Sequence, residues 1–270
     1  MLFETSARRF FYWQKMRKLI AITTDFGDNF ASAQLRAVLA SLDFTGEIIE
    51  NHSVTPYSIL EGAFQILTLS KFTPRQTIHL GVVDPGVGTD RKGIIIKTNN
   101  YHFVGPDNGL LYPAAVNDGI ISVYQIQESK INGKISNTFH GRDIFIRVAA
   151  YLARGKTVEN LEAIAIGVQD IEKIGFKKGQ VLHIDHYGNI KIHWVEDVVP
   201  GQMLCITKEG KDINIPVVKT FSEVSPKEPF AFLGSSDTLE LAVNLGNAQR
   251  WFEAKVGDII SINSSSEKYE

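Results

Sequence analysis

Hydrophobic positions from residue 18 to about residue 155 alternate between short continuous runs and longer periodic stretches. Residues 18–24 (KLIAITT) form an apolar run of the length of a buried strand, whereas residues 29–42 (NFASAQLRAVLASL) repeat apolar side chains at helical spacing. Further strands are predicted in EIIENHS, TIHLGVV, GIIIKTN, YHFVG and IISVYQI, and further helices in YSILEGAFQILTLSKF and RDIFIRVAAYLARG, the last ending at Gly155. This β-α-β order predicts an α/β domain with a mainly parallel central sheet.

The pattern changes near residue 178, where the apolar runs become short and alternating and are broken by glycine and proline. Seven such runs, from VLHIDHYG to DIISIN, predict an all-β module. We therefore divide the chain into an N-terminal arm, an α/β domain, a linker and a β domain. Their predicted bounds are residues 1–16, 17–167, 168–179 and 180–270.

Composition narrows the class of protein. Of the 270 residues 44% are hydrophobic, and the formal net charge is −2, so the chain lacks the basic excess of nucleic-acid-binding proteins. No run approaches the ~20 apolar residues of a membrane span, and the first 18 residues mix charges with aromatics, unlike a secretory signal. The single cysteine, Cys205, lies in an apolar stretch and indicates a reducing compartment, so we expect a cytoplasmic protein.

Five polar clusters stand at the ends of apolar runs in the predicted α/β domain: TTDFGD, NHSVTPY, DPGVGTDR, GPDNGLLYP and TFHGRD. In a parallel sheet, such clusters converge on one edge, where ligands bind. Turn and capping chemistry is the alternative explanation of each cluster taken alone. A site for a divalent cation is a further alternative, with Asp25, Asp28, Asp84 and His140 as its ligands.

Several common catalytic and nucleotide-binding motifs are missing. The sequence has no GxGxxG after the first predicted strand, no P-loop, no GxSxG, no CxxC and no HExxH. These absences argue against the usual dinucleotide, nucleoside triphosphate, serine hydrolase and zinc protease sites.

Seven motifs occur in one order along the chain: TTDFGD, HSVTPYSILEGA, DPGVGTDR, PDNGLL, FHGRDIF, IDHYGN and GSSDTLELAVN. Together they resemble the S-adenosyl-L-methionine (SAM) hydroxide adenosyltransferase family, the SAM hydrolases that are related to fluorinase and chlorinase. The resemblance runs from about residue 18 to residue 263. One such motif is weakly specific, but seven in this order are strongly specific.

The resemblance implies a fold, an assembly and a reaction. The fold is an N-terminal Rossmann-like α/β domain followed by a C-terminal all-β, barrel-like domain. The assembly is a homotrimer that binds SAM between the N-terminal domain of one subunit and the C-terminal domain of the next. In the reaction, water or hydroxide attacks the ribose C5′ and cleaves SAM to adenosine and L-methionine, with SAM as the substrate and with no cofactor or metal.

The family's catalytic Asp, Arg and His fall on Asp84, Arg91 and His140. A sulfonium leaves as a neutral thioether without help from a general acid. The enzyme therefore has to make the attacking water a better nucleophile. We expect His140 to accept its proton, Arg91 to stabilise the developing hydroxide and Asp84 to orient them. Without the resemblance, a core or capping histidine and a surface ion pair would explain the same residues.

The resemblance also implies substrate contacts in both domains. Asp25 would hold the ribose diol, and Tyr57, which replaces a tryptophan of the halogenating relatives, would form an aromatic wall. In the β module, Asp185 would bind the methionine ammonium and Asn189 would read adenine. Ser235 would contact the methionine part.

Three further positions, all in the β module, depart from the fluorinase pattern. Tyr187 would stack near the base, but the spacing around it is one residue shorter than in fluorinase. Ser236 and Val243 stand where fluorinase has arginines, so the methionine carboxylate is recognised differently.

Two other functions stay open. A SAM-dependent halogenase performs the same displacement with a halide, although the anionic Asp84 would repel that ion where halogenases carry a tyrosine. A sensor that binds SAM or adenosine without turnover would use the same binding residues.

Overall fold

A computed structural model describes residues 18–208 and 211–268, so the predicted arm at residues 1–16 lies outside the described residues. The chain forms two compact units that divide between Ile174 and Gly175. Among the described residues, no helix is both long and apolar enough to cross a membrane.

The N-terminal unit is built on one sheet of seven strands, β1 (Leu19–Thr24), β2 (Glu47–Asn51), β3 (Ile78–Val82), β4 (Gly93–Thr98), β5 (His102–Pro106), β6 (Ile120–Gln125) and β7 (Ile164–Ile166). Their order in the sheet is β2-β1-β3-β5-β4-β6-β7. Strands β4 and β7 run opposite to the other five. The sheet is therefore mixed and mostly parallel, which confirms the predicted fold class of this unit.

The central strands β1 and β3 determine where a ligand can bind. Both are buried along their whole length, which explains their unbroken apolar sequences. They pair in parallel with Thr24 opposite Val82. The chain leaves β1 for β2 on one side and returns to β3 on the other, and such a switch point opens a crevice at the carboxyl ends of the strands. Asp25 follows β1 at this crevice, and Asp84 follows β3.

The helices of this unit are α1 (Phe30–Ser41), α2 (Ile59–Ser70), α3 (Tyr112–Asn117) and α4 (Ile146–Ala153). Asn29 caps α1 and Ser58 caps α2, each with a side-chain oxygen that accepts a backbone N–H of the first turn. A π-helical turn, Gly141–Phe145, precedes α4, so the helix predicted from residue 142 begins with a wider turn. Gly155 follows α4 with a φ of +88°, in agreement with the predicted stop.

The C-terminal unit contains β8 (Val181–Ile184), β9 (Ile190–Ile192), β10 (Gln202–Lys208), β11 (Lys211–Pro216), β12 (Pro229–Leu233), β13 (Leu239–Val243) and β14 (Ser261–Lys268), with α5 (Ala248–Phe252). They form two antiparallel sheets, β11-β10-β14 and β12-β13-β9-β8. Isolated bridges join the ends of the two sheets, Gln180 with Ile259 and Val217 with Ala231. The all-β, barrel-like prediction is thus confirmed.

Three short elements are missing from the sequence prediction. Helices α3 and α5 have 6 and 5 residues, and strand β7 has 3, so none is long enough to show a periodic hydrophobic pattern.

The segment after β7 is bound to the N-terminal unit, although the sequence suggests a linker over residues 168–179. Ile171 is buried, and the N–H of Glu172 donates to Oδ1 of the buried Asp107 at 2.8 Å. Lys92 Nζ donates to the carbonyl of Asp170 at 3.0 Å. Residues 168–174 are therefore fixed to Asp107 after β5 and to Lys92 before β4.

Candidate active site

A cavity of about 360 Å³ opens at the crevice beyond β1 and β3. All of its lining residues belong to the N-terminal unit. They are Asp25, Phe26, Pro56, Tyr57, Val82, Asp84, Val87, Thr138, Phe139, His140 and Gly141. Two of the three predicted catalytic residues and two of the predicted substrate contacts thus line one cavity.

The DPGVGTDR sequence forms a tight turn that starts at the cavity. The N–H of Val87 donates to the carbonyl of Asp84, and the hydroxyl of Thr89 donates to the carbonyl of Gly86 at 2.7 Å. Gly88 has a φ of +80°, and a Cβ atom there would lie 2.3 Å from the carbonyl oxygen of Asn137. The turn therefore needs glycine at residue 88 for its backbone conformation and for this close approach.

This turn brings Arg91 back onto Asp84. Nε of Arg91 donates to both carboxylate oxygens at 3.0 and 3.1 Å, and Nη2 donates to Oδ2. Both side chains are largely buried, 6% exposed for Asp84 and 10% for Arg91. Within the described residues Nη1 is buried without an acceptor, and the guanidinium carbon lies 5.1 Å from the centre of the Phe145 ring. Arg91 is thus held behind the cavity wall, and it is not among the lining residues.

His140 completes the cluster. Its Nδ1 lies 3.0 Å from Nη2 of Arg91, and its side chain is 7% exposed. Because a guanidinium can only donate, Nδ1 has to accept, and the proton of the neutral imidazole is then on Nε2. Oε1 of Glu128, whose side chain is 42% exposed, lies 3.9 Å from the same Nδ1.

Asp25 and Tyr57 are joined at the other side of the cavity. The backbone N–H of Tyr57 donates to Oδ2 of Asp25 at 2.8 Å. Tyr57 has a φ of +66°, an uncommon conformation for a tyrosine, and 74% of it is exposed. Beside them, the buried Thr24 shares a hydrogen bond of 2.8 Å with Nδ1 of His52. The carboxylate of Asp25 is therefore held at the cavity with one oxygen already hydrogen-bonded.

Two phenylalanines of the wall were missed by sequence reasoning. Phe26 and Phe139 meet edge to face, with ring centres 5.4 Å apart, and both line the cavity. Each stands inside a motif that was chosen for its polar residues, TTDFGD and TFHGRD. An aromatic residue that is adjacent to a polar site residue was the signal that could have identified them.

The four predicted contacts of the β module lie in the C-terminal unit. Asp185 Oδ1 accepts the N–H groups of Tyr187 and Asn189 at 2.9 Å each, and Oδ2 accepts Nδ2 of Asn189 at 2.9 Å. The Tyr187 residue is 75% exposed, and Ser235 is exposed in the turn between β12 and β13. These hydrogen bonds fix the turn between β8 and β9, so Asp185 has a structural role besides the predicted one.

The proposed metal ligands do not come together. Across residues 18–208 and 211–268, no group of three or more His, Cys, Asp or Glu side chains is arranged to hold a metal ion. The alternative set of Asp25, Asp28, Asp84 and His140 is therefore not a cluster of metal ligands.

Two family profiles match nearly the whole chain. That of the SAM hydroxide adenosyltransferase N-terminal domain covers residues 20–162, and that of the C-terminal domain covers residues 179–261. The (R)-S-adenosyl-L-methionine hydrolase of Methanocaldococcus jannaschii is 32% identical over an alignment of 260 positions, which covers 90% of this chain and 95% of the relative. That of Salinispora tropica is 34% identical over 91% of this chain and 97% of the relative.

Fluorinases are more distant. That of Actinoplanes sp. is 24% identical over 92% of this chain and 98% of the relative. Among solved structures, an uncharacterized conserved protein from Thermotoga maritima superposes with a TM-score of 0.84 at 31% identity, covering 90% of this chain and all of that one.

Proposed function

The chain belongs to the SAM hydroxide adenosyltransferase family, and we propose that it hydrolyses SAM at the cavity beside Asp84. It is a SAM hydrolase that forms adenosine and L-methionine, in line with relatives of the same name. The site assignment rests on one nitrogen atom, Nη2 of Arg91, which donates hydrogen bonds to both Asp84 and His140. One cation thereby joins two residues that line the cavity and that are far apart in sequence.

The reaction needs little acid catalysis and an oriented water. A bond forms between the water oxygen and C5′, the bond from C5′ to sulfur breaks, and its electron pair stays on the sulfur of methionine. One proton is released. The site therefore has to hold a water behind C5′, accept that proton and exclude other nucleophiles.

The geometry supports a different division of roles from the one expected from sequence. Since Arg91 occupies the Nδ1 lone pair, His140 presents Nε2–H and donates a hydrogen bond to the water oxygen. Asp84 is the carboxylate of the Asp84, Arg91 and His140 cluster, it lines the cavity, and it accepts the proton. Arg91 does not touch the hydroxide; it lies behind the cavity wall and orients Asp84 and His140 through its hydrogen bonds. General-base assistance of this kind contributes about 10²- to 10⁴-fold.

Asp25 and Tyr57 are the proposed contacts to the ribose and the sulfonium. Oδ1 of Asp25 has no hydrogen-bond partner among the described residues and is able to accept from a ribose hydroxyl. Tyr57, three-quarters exposed at the cavity, offers its ring to the cationic sulfur.

We further propose that Asp185, Tyr187, Asn189 and Ser235 act on SAM from a neighbouring copy in a homotrimer. Two inactive variants test this arrangement. If a site is shared, chains carrying Asp84→Ala and chains carrying Asp185→Ala should regain activity when mixed, since some sites then contain two intact halves. Mixed oligomers that stay inactive would contradict the shared site.

The relatives are named for the R configuration at the sulfonium, and we propose the same preference here. Separated R and S epimers, each incubated with the enzyme and followed by chromatography, should show faster release of adenosine from the R epimer. Equal rates would contradict the preference.

The overall function is tested by incubating the purified protein with SAM and a chelator. Hydrolysis predicts adenosine and methionine in equal amounts, whereas a sensor would bind SAM without product.

Halide is added in a parallel reaction, and a 5′-halo-5′-deoxyadenosine product would indicate a halogenase. We expect none, because the Asp84 carboxylate faces the cavity and repels a halide, whereas the Arg91 cation that pairs with it does not line the cavity. Val87, at the cavity, adds no polar group for an ion.

A further inference from the structure

Asp143 is a buried carboxylate to which the proposed mechanism gives no role. It is 4% exposed and does not line the cavity, yet it lies three residues after His140. Between Asp143 and β6 runs the wall segment, which we define as residues 136–141 and which supplies four lining residues. These are Thr138, Phe139, His140 and Gly141.

Asp143 binds the start of the wall segment. Its Oδ2 accepts the backbone N–H of Ser136 at 2.9 Å and the Ser136 hydroxyl at 2.7 Å. Burial alone would raise the pKa of Asp143, but hydrogen bonds from Arg142 and Ser136 outweigh it and lower the pKa to about 2. Asp143 is therefore an anion at neutral pH and holds Ser136 by charge-assisted hydrogen bonds.

Arg142 extends this hold to the middle of the wall segment. Nε and Nη2 donate to the two oxygens of Asp143 at 2.6 and 2.9 Å, and Nη1 donates to Gln34 of α1 at 2.7 Å. The guanidinium carbon lies 4.9 Å from the centre of the Phe139 ring. Arg142 thus packs against a cavity residue while tying the wall to a helix of the core.

The end of the wall segment is equally confined. The backbone N–H of Asp143 donates to the carbonyl of Phe139 at 3.1 Å, where the chain enters the π-helical turn, a form often found at functional sites. A Cβ atom on Gly141 would lie 3.0 Å from Val82 and 3.3 Å from Phe26. His140 therefore sits between two fixed points.

We propose that Asp143 and Arg142 are positioning residues that hold the wall segment and thereby keep the imidazole of His140 on Arg91. The role of the wall in catalysis rests on the proposed function. The placement of His140 does not, because it is a property of the unliganded protein. A shift of about 1 Å in a catalytic group can cost on the order of 10²-fold in rate.

Two variants and a matched control test the kinetic part. Asp143→Asn replaces one acceptor with a donor that faces Arg142, and we expect kcat to fall by about tenfold or more. Ser136→Ala removes the hydrogen bond from the Ser136 hydroxyl to Asp143 and leaves no buried charge unpaired. This variant should fold normally and lower kcat less than Asp143→Asn does. Arg154→Gln is the control, since Arg154 also ties the region after α4 to α1, through the carbonyl of Leu42, but does not contact the wall. It should leave kcat unchanged.

A paired variant separates positioning from stability. Arg142→Gln combined with Asp143→Asn removes both charges, so its melting temperature should exceed that of Asp143→Asn alone. If Arg142 and Asp143 act only through stability, kcat of the double variant recovers together with its melting temperature, and the proposal is overturned. If the two residues position the wall segment, kcat of the double variant stays low.

A spectroscopic measurement tests the placement without any turnover. In ¹⁵N-histidine spectra, the wild-type His140 should show an unprotonated Nδ1 and a protonated Nε2, with its signals identified among the seven histidines by a His140→Gln spectrum. In Asp143→Asn the two tautomers should exchange. Unchanged His140 signals together with unchanged kcat refute the positioning role. An enzyme that releases no adenosine but shows the tautomer change refutes the proposed function alone.

Discussion

Nη2 of Arg91 lies 3.0 Å from Nδ1 of His140, and the same nitrogen donates to Asp84. Because guanidinium hydrogens only donate, this contact determines which nitrogen of His140 carries the proton. The arginine thus fixes the tautomer of the histidine and the orientation of the carboxylate.

Replacing Arg91 with lysine is predicted to be nearly as harmful as replacing it with alanine. A lysine ammonium lacks the planar fork that reaches both oxygens of Asp84 and Nδ1 of His140 at once. We expect kcat to fall by about 10²-fold in both variants. Rates of adenosine release measured by chromatography check this, and a lysine variant with near wild-type rate would contradict the shared-nitrogen geometry.

His140 variants distinguish a donor from a base. If His140 donates from Nε2, glutamine can supply an amide N–H in its place, so His140→Gln should keep about tenfold more activity than His140→Ala. If His140 is the proton acceptor, both variants lose the same function. Equal kcat values would therefore restore the sequence-based expectation, and melting temperatures show whether both variants are folded.

Gly88→Ala is predicted to disturb the turn and the wall together. The new Cβ would meet the carbonyl of Asn137 at 2.3 Å in addition to the strain of a φ of +80°. We expect a loss of about 2–4 kcal/mol in the free energy of unfolding and a large loss of activity.

Gly155→Ala is the control for this substitution. Gly155 has a φ of +88°, but no described atom lies within 4 Å of the added Cβ. It should cost only about 1 kcal/mol and leave activity intact. Denaturant melts of both variants check the comparison, which fails if they are equally destabilised.

Acid stability should depend on His79. Burial lowers the pKa of this histidine to about 4, whereas an unfolded histidine has a pKa of about 6.5. The unfolded chain therefore binds the proton more readily, and stability falls as the pH drops from about 6.5 to about 4. The loss amounts to roughly 3 kcal/mol.

His79→Phe tests this origin of the pH dependence. His79 packs between Tyr101 and Phe103, so a phenylalanine ring fits the site, and the Thr73 hydroxyl still donates to the carbonyl of Ser70. Melting temperatures of this variant should change less between pH 7 and pH 4.5 than those of the wild type. Parallel curves would assign the acid sensitivity to other groups.

The hydrophobic pattern and the motifs predicted the two fold classes and brought Asp84, Arg91 and His140 to notice. The parallel pairing of β1 and β3 explains this success, because runs of buried strand residues are readable in sequence and their ends meet in space. The tautomer of His140 was not predictable, since it depends on a contact between residues 49 positions apart.

The hydrogen bonds between Asp143 and the wall segment were missed for a related reason. Its neighbour Arg142 reaches Gln34, 108 positions away, and no local pattern reports such a contact. Phe26 and Phe139 were missed because each stands inside a motif that was chosen for its polar residues.

The hydrogen bond of Asp107 determines where a fragment of the N-terminal unit has to end. Burial raises the pKa of its carboxyl, and the N–H of Glu172 is what satisfies Oδ1. A fragment that stops at the predicted boundary, residue 167, leaves that oxygen without its donor and exposes the surface that Ile171 covers. A fragment intended to preserve the seven-stranded half has to continue to Ile174.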